Sequence, residues 1–481
     1  MAQEQLTFWL ATFGVIIVGG FMVLIMTKKA SPFTALVLTP LVVGIGTGLS
    51  GLFGYSWTDT FKYGIAGIIG NADSVLKDTF TAIENGTTPP SSASVIGGVV
   101  GTAVLLLFAI LYFGLMLSAG LFDPVVDFIL KLSKGDPLKV LVGTALLSLA
   151  VSVDGDGSTT TLVVCAAMIP VYHRLKMKMM DLAVLVILSN SIMNLLPWGG
   201  PTARIIASLK VDSGDLLRRI IPGMILAAIW VIGVAYLRGR SERKRLGIVK
   251  MSEADMAEFM AQQHEDDLEL ARPKMVWFNL VLTLLMLSIL IFGGIGFVPK
   301  INAALIFPIG LAVALVINYR NLKDQRKIVD EYGSSAVHVI VMVLAAGVFM
   351  GVLAGTGMST AMGTALSSTV HPVLSSHWPL VVAVLSAPGA FLLSNDAFYL
   401  GVLPVLNQVG LNNGFSTMDI AVASTAGQAF HLLSPLVGFI YLLLNLTGVD
   451  MGKWQIQSAK WAVGTFVLFL IAMFAFGGVQ L

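Results

Sequence analysis

Long apolar runs separated by short polar stretches dominate the chain and predict membrane-spanning helices. About twenty apolar residues cross the hydrocarbon core of a bilayer. This length predicts ten spans, near residues 6–26, 32–53, 95–121, 181–199, 219–237, 275–293, 299–318, 336–354, 419–446 and 456–478. The first run is longer than the core of a signal peptide, so we interpret it as a span. The pattern therefore predicts an all-α polytopic membrane protein.

Two further apolar stretches, 138–172 and 378–409, are interrupted by polar residues near their middles. Each half is too short to cross a bilayer alone, and non-helical backbone at membrane depth is tolerated only inside protein or beside a watery cavity. We therefore predict two re-entrant hairpins with polar tips. Prolines and glycines also interrupt the spans at 181–204 and 419–446, which predicts two broken helices.

The chain resembles itself at an offset of 237 residues, which matches Gly114 with Gly351 and aligns the two hairpin tips. Each half also has the same order of spans, a short amphipathic segment at 123–134 or 358–369, a hairpin and a broken helix. Five full spans lie between the hairpins, so the hairpins enter the membrane from opposite sides.

These observations predict two inverted repeats of five spans each, at 1–237 and 275–481, joined by a charged linker at 238–274. Inverted repeats whose broken elements meet at mid-membrane are typical of secondary transporters.

Composition agrees with this interpretation, because 56% of the 481 residues are hydrophobic and 12% are charged, with a mean hydropathy of +0.87. These values exclude an ordinary soluble protein. The net charge is +2 and the sequence shows no basic face, so no nucleic-acid partner is expected. Cys165 is the single cysteine, which excludes an internal disulfide and a cysteine-based metal site.

Basic residues gather in loops that the span scheme places on one side of the membrane, and the positive-inside rule makes that side the cytoplasm. The linker 238–274 is then cytoplasmic, and both termini are extracytoplasmic. The basic loops contain Lys28–Lys29, Lys131–Lys139, Arg174–Lys178, Arg238–Arg245 and Arg320–Lys327.

The tip of the first hairpin gathers two carboxylates and several hydroxyls between apolar half-helices. Ionisable groups at membrane depth are costly and are functional candidates by default. Asp154 and Asp156 could bind a proton or a cation, or could only cap the turn. Gly157, Ser158 and Thr159 stand where the second half-helix begins, and its exposed N–H groups and positive dipole end attract anions.

The corresponding tip of the second hairpin consists of Ser394, Asn395 and Asp396, and Asp396 could cap the turn or bind an ion. Asn190 and Gln428 are polar candidates near the two breaks. The broken helices also supply candidates for substrate contact: Asn194, Gly199, Gly200, Thr202, Arg204 and Ser434. Arg204 could face an anion or extend to the membrane surface. His431 could relay a proton or have a purely structural role.

The charge of these candidates limits the substrate. Three aspartates and at most one arginine form a poor site for a free polyanion, because carboxylates repel strongly in low dielectric. The aspartates are therefore protonated in the loaded state, a divalent cation accompanies the anion, or the substrate is itself a cation. A hard ion of the Mg²⁺ or Ca²⁺ class suits oxygen ligands.

Several long motifs of the chain resemble the citrate–metal complex:proton symporters of bacteria, the CitMHS family. The match is carried by Ala119–Pro124, Lys134–Pro137, Val153–Thr160, Asn194–Arg204, Asn395–Tyr399 and His431–Leu436. The Asp-Gly-Asp-Gly-Ser-Thr-Thr-Thr and Leu-Pro-Trp-Gly-Gly-Pro-Thr-Ala-Arg strings are long and uncommon.

The resemblance implies a homodimer in the bacterial cytoplasmic membrane, with a scaffold of full spans and a mobile unit of hairpins and broken helices that moves as an elevator. It also implies that citrate travels as a complex with a divalent metal, coupled to protons, without a permanently bound cofactor. Such a complex carries about one negative charge in place of three, which agrees with the charge argument.

Three alternatives remain at this point. An inorganic cation/proton antiporter explains the aspartates without an anion, and a symporter of free di- or tricarboxylates could use Na⁺ or H⁺. A membrane-embedded enzyme is disfavoured, because the Gly-Asp-Gly-Ser string has no nearby histidine base and the chain has no cysteine cluster.

Overall fold

We describe a computed structural model covering residues 3–70, 98–121, 124, 135–248, 270–293, 298–299, 301–476 and 478–479. Within these ranges the regular structure is entirely helical. Eight helical segments are long and apolar enough to cross a membrane: Glu4–Ile25, Pro32–Leu49, Val100–Ser118, Pro137–Asp154, Ser213–Leu246, Pro273–Phe292, Leu322–Gly355 and Met451–Ala475. The prediction of an all-α membrane protein is therefore confirmed.

The N-terminal part contains helices α1 (Gln3–Met26), α2 (Pro32–Leu49), α3 (Trp57–Ile69) and α4 (Val100–Ser118). The Ser31 side chain caps α2 and Pro32 occupies its first turn. The predicted spans leave residues 54–94 as a loop between 32–53 and 95–121, and α3 is a helix in the first part of this loop. The helix escaped notice because it has only 13 residues, with Asp59 and Lys62 near its start. The rest of that loop, from 71, lies outside the described residues.

Glycines bring α3 against the long helix α12 (Leu322–Gly355). A Cβ atom added at Gly67 would lie 1.8 Å from the carbonyl oxygen of Gly347. A Cβ atom at Gly351 would lie 2.2 Å from the carbonyl oxygen of Tyr63. Small residues at this spacing allow membrane helices to approach at backbone distance.

The first predicted hairpin is formed by α5 (Pro137–Val151) and α6 (Gly157–Arg174). The first predicted broken helix consists of α7 (Met179–Met193) and α8 (Gly200–Leu209). Residues 181–192 of α7 are all buried, which agrees with the uninterrupted apolar run from Leu182 to Leu188 in that helix. Cys165 is also buried, in α6.

Helix α9 (Ser213–Leu246) packs along α5 and closes the first half. The second half begins with α10 (Val276–Phe292), α11 (Ala303–Asn318) and α12. It continues through α13 (Met358–Thr369), at the predicted amphipathic segment, and a single turn, α14 (Pro372–Ser375). The other predicted amphipathic segment, 123–134, lies almost entirely outside the described residues, as does the linker between 249 and 269.

The second predicted hairpin is formed by α15 (Trp378–Leu392), a π-helical turn (Ala397–Val402) and α16 (Leu403–Asn412). The second broken helix comprises α17 (Thr417–Ser424), α18 (Gln428–His431) and α19 (Gly438–Thr447), and α20 (Met451–Ala475) follows it.

Seven of the ten predicted spans coincide with helices of membrane-spanning length. The runs at 181–199, 299–318 and 419–446 contain shorter helices, because two are broken and α11 has 16 residues. The eighth long segment, Pro137–Asp154, is the first arm of a hairpin that we expected to be too short to cross. Its 3-10 turn extends the apolar helix to 18 residues, so re-entrance stays a prediction.

Candidate functional site

The first hairpin tip is a tight turn whose carboxylates bind the backbone of the turn. Gly155 has a left-handed conformation with φ of 80°, which favours glycine. The Asp154 carboxylate accepts a hydrogen bond from the Asp156 N–H at 2.9 Å. Asp156 is exposed and caps α6, accepting from the Thr159 N–H at 2.8 Å and the Thr159 hydroxyl at 2.7 Å. Both aspartates therefore have the capping role that the sequence left open.

A buried polar cluster lies behind this tip. The hydroxyl of Thr160 donates to the hydroxyl of Ser152 at 3.2 Å, and the Asn190 amide lies 3.4 Å from both oxygens. All three side chains are fully buried. The cluster ties both arms of the hairpin to α7. Ser152 and Thr160 were not among the predicted substrate contacts, although both are polar residues in an apolar segment, whereas Asn190 was a polar candidate at the first break.

The break in the first broken helix is held together by its own polar side chains. The Asn194 side-chain oxygen accepts from the Gly200 N–H at 3.1 Å, and the buried Thr202 hydroxyl donates to the Leu195 carbonyl at 2.8 Å. A Cβ atom at Gly199 would lie 2.0 Å from the Asn194 carbonyl oxygen. In this conformation, Asn194 and Thr202 maintain the interrupted backbone that the sequence predicted.

Trp198 connects the break to the hairpin tip. Its indole N–H donates to the Val153 carbonyl at 2.7 Å. Its ring stacks on Phe113 with centroids 4.9 Å apart and meets Phe307 edge-on at 5.1 Å. A Cβ atom at Gly155 would lie 3.0 Å from the same indole ring. The tip and the break therefore form one packed unit.

The second hairpin tip is anchored to the second broken helix. The Ser394 hydroxyl oxygen accepts from the Ala397 N–H at 3.1 Å. The Gln428 amide N–H donates to the Asn395 side-chain oxygen at 3.1 Å and to the Tyr399 hydroxyl at 2.7 Å. The sequence predicted Gln428 as a polar candidate at the second break and did not predict Tyr399.

His431 and Ser434 are both buried at the second break. The His431 Nδ1–H donates to the Ala390 carbonyl at 2.7 Å, which fixes the broken helix to the first arm of the hairpin. The Ser434 hydroxyl oxygen accepts from the Leu436 N–H at 3.2 Å. Both side chains therefore have structural bonds in this conformation.

Arg204 and Asp396, which lie 192 positions apart in the chain, form an ion pair. The Arg204 Nε–H donates to the Asp396 carboxylate at 2.6 Å, and an Nη1–H donates to the Gly200 carbonyl at 2.8 Å. The side chains are 21% and 14% exposed. Arg204 therefore does not extend to the membrane surface, which was one of its two predicted roles. Its guanidinium borders a crevice between α8 and α12.

Each hairpin tip contacts the second half-helix of the other half's broken span. A Cβ atom at Gly157 would lie 2.2 Å from the Phe439 ring in α19, and the Asp396 tip pairs with Arg204 in α8. The tips thus belong to one interlocked body with both broken helices.

The carboxylates do not form one cluster in this body. Within the described residues, no group of three or more His, Cys, Asp or Glu side chains could hold a metal ion. Asp154 and Asp156 share one turn, whereas Asp396 is neutralised by Arg204. Residues 157–159 begin α6, with Gly157 buried and Ser158 and Thr159 partly exposed.

Comparison with known proteins places these features in a family. A family model described as "CitMHS: Citrate transporter" matches residues 21–427. A "Citrate transporter" of Bacillus subtilis (strain 168) is 40% identical over 97% of this chain and 99% of its own length. A "Mg(2+)/citrate complex secondary transporter" of the same organism is 37% identical over 98% and 99%. These relatives are transporters and not enzymes.

The fold also resembles a solved transporter. The structure of the Alcanivorax borkumensis YdaH transporter aligns with a TM-score of 0.55 and 17% identity, covering 90% of this chain and 98% of that one. Together with the matched family model and the near full-length relatives, the motifs at the hairpin tips and breaks show that the chain belongs to the CitMHS family of citrate transporters.

Proposed function

We propose that this protein is a secondary active transporter that imports citrate as a complex with a divalent metal ion, driven by protons. The family membership and the 37% identical Mg²⁺/citrate relative support the substrate. The observation that carries the proposal is the ion pair between Arg204 and Asp396 at the junction of a hairpin tip and a broken helix.

Arg204 is the carboxylate receptor in this proposal. A guanidinium offers a planar fork that matches a carboxylate, and Asp396 accepts one of its N–H groups here, the Nε–H. A carboxylate of the substrate can replace Asp396 on Arg204. The displaced Asp396 is then available to a proton or to the metal of the complex, which links substrate binding to an ion.

The metal is cargo in this scheme, because it enters and leaves as part of the citrate complex. A complexed citrate carries about one negative charge, which reduces its repulsion by the aspartates. The proposed substrate contacts are Gly157, Ser158, Thr159, Asn194, Gly199, Gly200, Thr202, Arg204, Ser394, Asn395 and Ser434. The proposed metal or proton sites are Asp154, Asp156, Asp396 and His431.

Alternating access is proposed to move the interlocked hairpins and broken helices as an elevator in a homodimer of inverted repeats. The cross-contacts of the two tips support a single moving body, and the backbone-distance packing of α3 against α12 supports a rigid scaffold. The positive-inside pattern supports insertion in the bacterial cytoplasmic membrane with both termini outside.

Uptake of labelled citrate into proteoliposomes with an imposed pH gradient tests the proposal. Uptake is measured with a chelator and then with Mg²⁺, Ca²⁺ or Zn²⁺ added in turn. We expect uptake that requires a metal and collapses with the gradient. Arg204→Lys, which keeps the charge but loses the fork, should reduce uptake, whereas Arg218→Lys in α9 serves as the matched control.

The outcomes separate the alternatives. Uptake that persists in chelator would identify free citrate or another acid as the substrate. Cation–proton exchange without citrate would favour the antiporter. Uptake that is unaffected by Arg204→Lys would remove the bidentate receptor role from Arg204.

A further inference from the structure

A groove with three basic side chains opens between α7, α9 and α20, away from the hairpin tips. It has a volume of about 390 Å³ and is lined by Lys178, Met180, Arg238, Lys453, Ile456 and Gln457. None of these lining residues is acidic. The cations lie where the apolar parts of the three helices end, because α7 and α20 begin at this end and Arg238 follows the apolar part of α9.

Two buried carboxylates hold the cations in place beneath the groove. Arg238 Nε–H donates to Asp181 at 2.7 Å, and Lys178 Nζ lies 3.3 Å from Glu242. Both carboxylate side chains are only 2% exposed. The acids are therefore turned away from the solvent, while Lys178 remains 53% exposed.

The ammonium group of Lys453 is available to bind an anion. Among the described residues its ammonium has no ion-pair partner, and it stands in the first turn of α20. The nearby Asp450 carboxylate accepts the Lys453 backbone N–H at 3.0 Å and so caps the helix. The groove therefore presents positive charge to an anion from outside the chain.

The apolar surface below the cations distinguishes a lipid from a soluble anion. Ile456, Val463, Val467 and Ile471 are 63%, 49%, 43% and 51% exposed. Their spacing places them along one face of α20, directly below Lys453. A phospholipid can place its phosphate among the cations and its acyl chain along this stripe. A soluble phosphate would leave the stripe unused.

We propose that this groove is a binding site for the phosphate headgroup of an anionic phospholipid. Basic pockets between membrane helices bind such headgroups, and each lysine or arginine near the surface strengthens the attraction about fivefold. Lys178 and Lys453 contact the phosphate from either side, and Arg238 contacts it from α9. The site is separate from the proposed citrate pathway.

Native mass spectrometry of the full-length protein, titrated with phosphatidylglycerol or phosphatidylcholine, tests this site. We expect Lys178→Gln/Lys453→Gln to weaken phosphatidylglycerol binding about 25-fold and to leave phosphatidylcholine binding unchanged. Lys453→Arg should retain the wild-type affinity, which shows that the position tolerates substitution. Lys323→Gln, an exposed lysine at the start of α12, is the control and should have no effect.

Two results would overturn the proposal. One is wild-type phosphatidylglycerol binding by the double variant. The other is competition by inorganic phosphate at the same concentration as the lipid, which would identify a site for a soluble anion.

Discussion

Neutralising Asp396 should separate substrate binding from transport. If Asp396 occupies Arg204 in the absence of citrate and takes up a proton when it is displaced, then Asp396→Asn removes the competitor and leaves the guanidinium open. We expect Asp396→Asn to bind metal–citrate more tightly than the wild type while transporting it poorly. Arg204→Gln should lose binding and transport together, because no fork remains for the carboxylate.

The geometry of the Arg204–Asp396 ion pair gives the size of the expected gain in citrate affinity. At 2.6 Å and an effective dielectric constant of about 20, the Coulomb attraction between Arg204 and Asp396 is roughly 6 kcal/mol before dehydration. Dehydration of both groups and partial exposure offset most of this, which leaves a coupling energy of about 2 kcal/mol. Removing the competitor should therefore tighten binding by as much as about thirtyfold.

Calorimetric titration of purified protein with Mg²⁺–citrate measures the affinity, and proteoliposome uptake measures transport. Asp215→Asn, which breaks the Arg218–Asp215 ion pair at the start of α9, is the matched control and should change neither. The reasoning is refuted if Asp396→Asn weakens citrate binding to the same extent as Arg204→Gln, because Asp396 would then be part of the receptor.

Three further variants test the packing of the site and of its scaffold. Gly157→Ala places a Cβ atom 2.2 Å from the Phe439 ring and should lower uptake at least tenfold, with Phe439→Leu as a second change that restores it. Gly67→Ala places a Cβ atom 1.8 Å from a backbone carbonyl that cannot yield, and should destabilise the protein by about 3 kcal/mol in thermal unfolding. Gly101→Ala, with open space around it, should leave the melting temperature unchanged or higher. Thr202→Val loses a buried hydrogen bond across the break and should lower the free energy of unfolding by about 1 kcal/mol. Thr202→Ser keeps the hydroxyl and should retain the hydrogen bond and the stability.

The interruptions of the helices could be predicted from the sequence because their causes are local. Proline and glycine at 197–201 end α7, and polar residues within apolar runs mark both hairpin tips. The ends of α9 and α12 were harder to predict from the sequence. Both helices have 34 residues and continue through charged sequence beyond the apolar window, where an exposed helix needs no apolar face.

The partners of the site residues could not be predicted, because they depend on contacts between distant segments. The sequence places Arg204 beside a break but contains no sign that Asp396, 192 residues away, neutralises it. The hydrogen bonds from Gln428 to Asn395 and Tyr399 likewise join segments that are distant in the sequence. Local sequence therefore predicted where the polar groups lie, and only the packed structure shows which of them already have partners.

The burial of Cys165 makes the native chain suitable for thiol labelling. A thiol that is 1% exposed in an apolar environment reacts slowly with maleimides or methanethiosulfonates. Cysteines introduced at exposed positions would then carry spin labels or fluorophores selectively, without first removing the native residue. A pair of labels on α12 and α16 would test, as a change in the distance distribution on adding substrate, whether the second hairpin moves relative to α12 as the elevator proposal requires.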